Sequence, residues 1–160
     1  MATHRFMPTI WYNTLGSHKP ALQVESGDTV VTETLDAAGV DKDGNRRASP
    51  SNPMNGPIFV AGAEPGDALR VSIDAMRPIR ATGWTRSILA ANVVDPAAVR
   101  DLPRSEVVNW AIDRNAGTAR LDPPVAGLEY LELPIEPMIG CFGVAPKLAQ
   151  AISTATSSQH

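Results

Sequence analysis

The sequence predicts a mainly β fold, an antiparallel sandwich with one or two short helices. Short runs alternate apolar and polar residues with the period of a strand. Fourteen prolines and twelve glycines cut the 160-residue chain into short pieces, which suits strands and turns better than long helices. An E-x-G-D turn occurs twice, each time ahead of a run with strand character. A chain of this length buries roughly 70% of its unfolded surface. We therefore read residues 1–160 as one sandwich domain.

The elements follow in order. Residues 29–35 read T-V-V-T-E-T-L and are rich in β-branched side chains. Residues 57–61 form a short strand. In residues 69–75, Leu69, Val71, Ile73 and Ala75 share one face, with Arg70, Ser72 and Asp74 on the other. Val108, Trp110 and Ile112 alternate with Asn109, Ala111 and Asp113. Asn115-Ala116-Gly117 then turns the chain, and residues 118–121 return as the partner strand. Residues 130–133 add another short strand. Asp95-Pro96 sets an N-cap residue before a proline at the first helical position, which predicts one short turn or helix. A second helix is expected over residues 147–152.

The two turns, Glu25-Ser26-Gly27-Asp28 and Glu64-Pro65-Gly66-Asp67, place glycine where the chain needs a positive φ before extending. They read either as a duplicated motif or as a common route into a strand. Residues 36–53 have no apolar periodicity and are long for a connection, which suggests a loop bordering a cleft or an oligomer contact.

Composition excludes several classes. A net charge of −3 leaves no basic face for phosphates, so no nucleic-acid partner is expected. The pair Arg46-Arg47 reads as a solvated loop. No run reaches the ~18 apolar residues of a membrane span, and the start carries no leader of signal-peptide type. Cys141 is the only cysteine, so no intrachain disulfide can form, and in its apolar run it reads as buried and inert. A cytoplasmic location follows.

No G-x-S-x-G elbow, H-E-x-x-H, phosphate-binding glycine loop or C-x-x-C is present. The histidines are His4, His18 and His160. His4 reads as a position without a role. His18, in the loop Gly16-Ser17-His18-Lys19-Pro20, is either a metal ligand or proton carrier or a solvent-exposed side chain. Glu33 and Asp36 stand at the end of a strand that opens the long loop, a placement from which a carboxylate can reach a cleft.

Several segments are more informative by their spelling. Residues 20–30 read P-A-L-Q-V-E-S-G-D-T-V and lead into E-T-L-D-A at residues 33–37. N-P-M-N-G-P at residues 52–57 precedes G-A-E-P-G-D at residues 62–67, and P-M-I-G-C-F-G-V-A-P occupies residues 137–146. In order and spacing these segments resemble the acetamidase/formamidase family over most of residues 16–146, with N-P-x-x-G-P the most specific part. The resemblance implies a jelly-roll-like sandwich, homo-oligomeric assembly, and hydrolysis of small carboxamides to a carboxylate and ammonia. It directs attention to Asn52, Gly56 and Pro57 as substrate-binding positions.

Two departures accompany the resemblance. The N-terminal stretch Trp11-Tyr12-Asn13-Thr14-Leu15-Gly16-Ser17-His18 has a single histidine after its glycine, so the substrate is open to differ from formamide or acetamide. In the family, a histidine at the position of His160 leads into G-G-N-M-D, and a G-D-G-E-type segment follows later. Neither occurs here. The expectation is an N-terminal part of a longer protein, inactive alone and needing another copy or a chain that carries the downstream half.

Amide hydrolysis needs a nucleophile, a polarised carbonyl and a protonated leaving amine. Without a serine or cysteine motif, water activated by a divalent metal, zinc by ligand type, is the simplest route. His18, Asp36 and His160 are the expected ligands, with His18 and Asp36 near one another. Asp36, His160 and Glu33 are the expected catalytic residues, Glu33 as a proton carrier. A non-catalytic β-sandwich module for binding or assembly is the alternative.

Overall fold

The computed structural model describes residues 1–86, 94–147 and 149–153. It forms two compact units, residues 1–75 with 138–160, and residues 76–137. Strands dominate both, as the alternation requires. Among the described residues no helix is long and apolar enough to cross a membrane.

The first unit is built from paired short strands. β1 (Thr3–Phe6) lies parallel to β4 (Thr29–Thr32), and β3 (Leu22–Val24) lies parallel to β5 (Ile58–Val60). β2 (Thr14–Leu15) pairs antiparallel with β10 (Ala151–Ile152). The two parallel pairs differ from the purely antiparallel expectation. Parallel neighbours need a crossover rather than a tight hairpin, and each pair here joins strands separated by a long connection. Phe6 and Val24 are buried hydrophobic side chains among the described residues of this unit.

The E-x-G-D turns close in the same way. The Asp28 amide donates to the Glu25 carbonyl at 3.1 Å, and the Glu25 amide donates to Asp28 Oδ2 at 3.1 Å. In the second copy the Asp67 amide donates to the Glu64 carbonyl at 3.0 Å, and the Glu64 amide to Asp67 Oδ2 at 2.9 Å. Gly27 and Gly66 take φ of 91° and 108°, the positive values that a glycine in the third position of such a turn supplies without strain. The outcomes diverge afterwards. Asp28 also accepts the Ala2 amide at 2.6 Å and pairs with His4 Nε2 at 2.9 Å, which fastens β1 beside β4. His4 therefore has a structural role that its sequence position did not reveal. The second turn opens no strand. Residues 69–75, which alternate in sequence, are all exposed, and the strand expected there is absent because no ladder forms among the described residues. Alternation records where side chains point, whereas a strand also needs a neighbouring backbone to accept its hydrogen bonds.

The second unit is a four-stranded antiparallel meander: β6 (Thr82–Arg86), β7 (Val107–Asp113), β8 (Thr118–Leu121) and β9 (Glu132–Pro134). Val108, Trp110 and Ile112 form the half-buried face of β7, and the residues between them are exposed. The β7–β8 turn is closed by Asp113, whose Oδ1 accepts the Asn115 and Ala116 amides at 2.9 and 2.8 Å. These two amides hold the Asp113 carboxyl below its ordinary range, Ala116 first. Opposite residues Arg120 and Glu132 form an ion pair between β8 and β9.

A short 3-10 turn (Ala98–Asp101) follows, with Ala97 rather than Asp95 at its N-cap, and the Asp95 side chain accepts the Ala97 amide at 2.8 Å just ahead of it. This is the short turn expected there. The helix expected over residues 147–152 is replaced by strand β10, because Ala151 and Ile152 find backbone partners in Leu15 and Thr14. Leu148 and the tail from 154 to 160 lie outside the described residues.

Candidate functional site

The N-P-x-x-G-P segment is the centre of the first unit's polar network. Ser51 and Asn52 both adopt positive φ, 82° and 59°. A non-glycine residue in this region costs of order 1–3 kcal/mol, and asparagine tolerates it better than serine. The surroundings hold the pair from several sides. Their amides both donate to the Ala37 carbonyl, at 3.0 and 3.1 Å. Their carbonyls both lie within reach of Ser153 Oγ, at 3.2 and 3.0 Å, so one hydroxyl proton serves two acceptors. Asn13 Nδ2 donates to the Ser51 carbonyl at 2.8 Å and to that of Pro50 at 3.0 Å. Ser153 is 1% exposed, and its own carbonyl faces Cys141 Sγ at 3.8 Å. Cys141 is half-buried.

Downstream, Met54 exchanges backbone hydrogen bonds with Tyr12. Asn55 accepts from Trp11 Nε1 at 3.1 Å and donates to Thr32 Oγ1 and the Glu33 carbonyl, both at 2.9 Å. Gly56 has φ 112° and leads into Pro57, whose carbonyl accepts the Ala21 amide at 2.9 Å. Asn52, Gly56 and Pro57 thus lie on one stapled segment that runs into β5.

His18 and Asp36 approach this segment through different neighbours. The His18 ring stacks on Tyr12, with centroids 3.8 Å apart and planes 7° from parallel, and its Nε2 shares a 2.7 Å hydrogen bond with Thr14 Oγ1. Tyr12 in turn bridges to Met54. Asp36 Oδ1 accepts the Ala38 and Val40 amides, both at 2.9 Å, which shapes the turn that presents the Ala37 carbonyl to Ser51 and Asn52. The Glu33 carboxylate is paired with Lys42 Nζ at 2.9 Å, and that bond, followed by the charge of Glu33, raises the Lys42 pKa. Among the described residues, no three His, Cys, Asp or Glu side chains gather to hold a cation. The third expected ligand, His160, lies outside those residues.

The long loop is ordered by its own hydrogen bonds. Val40 and Arg46 form a β-bridge, and the Arg47 amide donates to the Gly39 carbonyl at 2.8 Å. Arg47 Nε pairs with Asp41 Oδ2 at 2.6 Å, which, with the Asn45 amide next in effect, lowers the Asp41 pKa. The loop forms one wall of an open cleft of about 610 Å³, with Trp11 and Asn13 on the other side. Arg46 and Arg47 are both exposed, as a solvated loop requires, and they line this open cleft.

Residues 11–158 match the acetamidase/formamidase family. The chain belongs to that family. Comparison with curated proteins gives no match. Family membership places the chain with amide hydrolases, and it agrees with the spelling of the N-P-x-x-G-P and E-P-G-D segments. Two asparagines of the polar network carried no role in the sequence reading. Asn55 sits inside the N-P-x-x-G-P segment, and Asn13 sits in the W-Y-N stretch and bonds to the carbonyls just ahead of that segment. Ser153 carried no signal, because a hydroxyl that bonds distant backbone carbonyls leaves no periodic trace.

Proposed function

We propose that this protein hydrolyses small linear carboxamides, of the formamide and acetamide type, to the carboxylate and ammonia. The observation that carries the reading is the left-handed Ser51–Asn52 pair, held by Asn13, Ala37 and Ser153 at the start of the N-P-x-x-G-P segment in a chain of the acetamidase/formamidase family. Held strain of this kind clusters at ligand-binding positions. Asn52, with Gly56 and Pro57 beyond it, is the proposed contact for the amide.

The chemistry needs a proton acceptor and a donor beside that segment. In the proposal His18 and Asp36 supply them, since each is tied to residues bonded to the segment. Glu33 carries protons only when its carboxylate leaves Lys42, so its part is secondary. A divalent cation, zinc by ligand type, enters through the set His18, Asp36 and His160. When bound it would supply an activated water at neutral pH. The described residues alone do not complete that set. Homo-oligomeric assembly and a cytoplasmic location belong to the same reading.

Ammonia release from a panel of short amides tests the activity. Turnover should fall by at least 100-fold in Asp36→Ala, the order of loss for a group that activates a nucleophile. Full activity in that variant would remove Asp36 from the chemistry, whereas no ammonia from any amide would favour the non-catalytic module. Metal analysis by mass spectrometry should find close to one equivalent of zinc, lost on chelation and reduced in His18→Ala. Retention of activity without metal removes the cation from the proposal.

A further inference from the structure

The cleft beside the candidate site is electrostatically one-sided. Its lining includes Trp11, Asn13, Arg46, Arg47, Ser49 and Pro50, and no carboxylate. The two guanidiniums differ. Arg47 is neutralised by Asp41. Arg46 donates from Nη1 to the Ala38 carbonyl at 2.6 Å and has no carboxylate within ion-pair distance among the described residues. A carbonyl orients the guanidinium without balancing its charge. Arginine presents five donors in a planar fork that matches a carboxylate edge to edge.

The cleft is continuous with the site through Asn13, whose Nδ2 reaches the carbonyls of Ser49, Pro50 and Ser51. Trp11, held by Asn55, gives it an aromatic wall. A ligand whose amide meets the Ser51–Asn52 segment would therefore have its other end near a fixed cation with no competing acid in the lining.

We propose that Arg46 is an anion subsite, and that the preferred substrates carry a carboxylate at the end opposite the carboxamide, as do half-amides of short dicarboxylic acids. This rests on the amide-hydrolase reading and narrows its substrate class. Arg46 acts as a specificity residue: it binds the far carboxylate and takes no part in breaking the C–N bond.

The test compares succinamate, the half-amide of succinic acid, with neutral butyramide in the full chain. Arg46→Gln keeps a polar side chain at this position but removes the charge. The ratio of kcat/KM for succinamate over butyramide should fall about 10- to 100-fold, the range for a charge-assisted hydrogen bond, with the change mostly in KM. Arg46→Lys should retain part of the preference. An unchanged ratio in Arg46→Gln, or a wild type that prefers butyramide, would overturn the subsite. If no amide is turned over, calorimetric titration with succinate separates the two readings. Binding that Arg46→Gln abolishes supports the anion subsite while the hydrolase reading fails, and absence of binding overturns both.

Discussion

Gly39 occupies a position where a side chain has no room. Its φ is 79°, and a Cβ there would stand 2.2 Å from the Ala48 carbonyl oxygen, a backbone atom that cannot rotate away. The Gly39 carbonyl meanwhile accepts the Arg47 and Ala48 amides, so the close approach is what folds the loop back on itself. Gly39→Ala should destabilise the protein by about 1–3 kcal/mol, read as a lower urea midpoint. It should also weaken any ligand of the Arg46 cleft, whose wall is that loop. Ser153 is the complementary case. Ser153→Ala removes the hydroxyl that bonds the carbonyls of Ser51 and Asn52, a net loss of about 1 kcal/mol. Amide turnover should fall by more than the lost stability explains, with kcat/KM measured well below the melting temperature.

Among the elements, β1 and β4 owe their alignment to Asp28. The Ala2 amide, His4 and the Glu25 amide, in that order, hold its carboxyl far below the usual carboxylate range. A depressed folded-state pKa contributes stability that is fully present above the unfolded value, near 4, and is lost as pH falls below it. The wild-type urea midpoint should therefore drop on acidification below about pH 4. Asp28→Asn should lie lower at pH 7 and converge on the wild type in acid. Parallel curves across the range would remove Asp28 from the acid response.

The elements also show which parts of the fold the sequence could disclose. The β7–β8 hairpin was legible because its two strands and their turn are contiguous, so alternation and the Asn115-Ala116-Gly117 turn agree locally. The β1–β4 and β3–β5 pairs were not, because a parallel partner chosen from far along the chain leaves no local mark. Residues 69–75 alternate as well as β7 does, yet no backbone pairs with them among the described residues. At the site, Asn52, Gly56 and Pro57 were legible by spelling. The groups that hold them, Asn13 and Ser153, act through side-chain bonds to backbone carbonyls, for which any polar residue at the right place would serve.

At the scale of the whole molecule, the far-ultraviolet circular dichroism spectrum should be dominated by strand and turn signals, with little helical component. A helix-dominated spectrum would contradict the pairing described above. Large apolar side chains remain on the surface, among them Tyr130 at 98% exposure and Met138 at 77%. Phe142 and Val144 are also exposed. Apolar surface in such quantity is commonly covered by another chain. Sedimentation equilibrium should then report a mass above that of one chain, and a monodisperse monomer would count against homo-oligomeric assembly.

The reach of Ser153 to Asn52 spans 101 positions of sequence. A growing chain emerges at about 5–20 residues per second, so residues 51 and 52 wait roughly 5–20 seconds before their partner exists. Local bonds to Ala37 and Asn13 can form in that interval, but the clamp on the two carbonyls cannot. Closing so long a loop also carries an entropic cost that nearer contacts avoid. The Ser153 hydrogen bonds to this left-handed pair thus form later in biosynthesis than its bonds to Ala37 and Asn13. A nascent chain that has not yet reached residue 153 therefore lacks the hydroxyl that ties the carbonyls of Ser51 and Asn52 together.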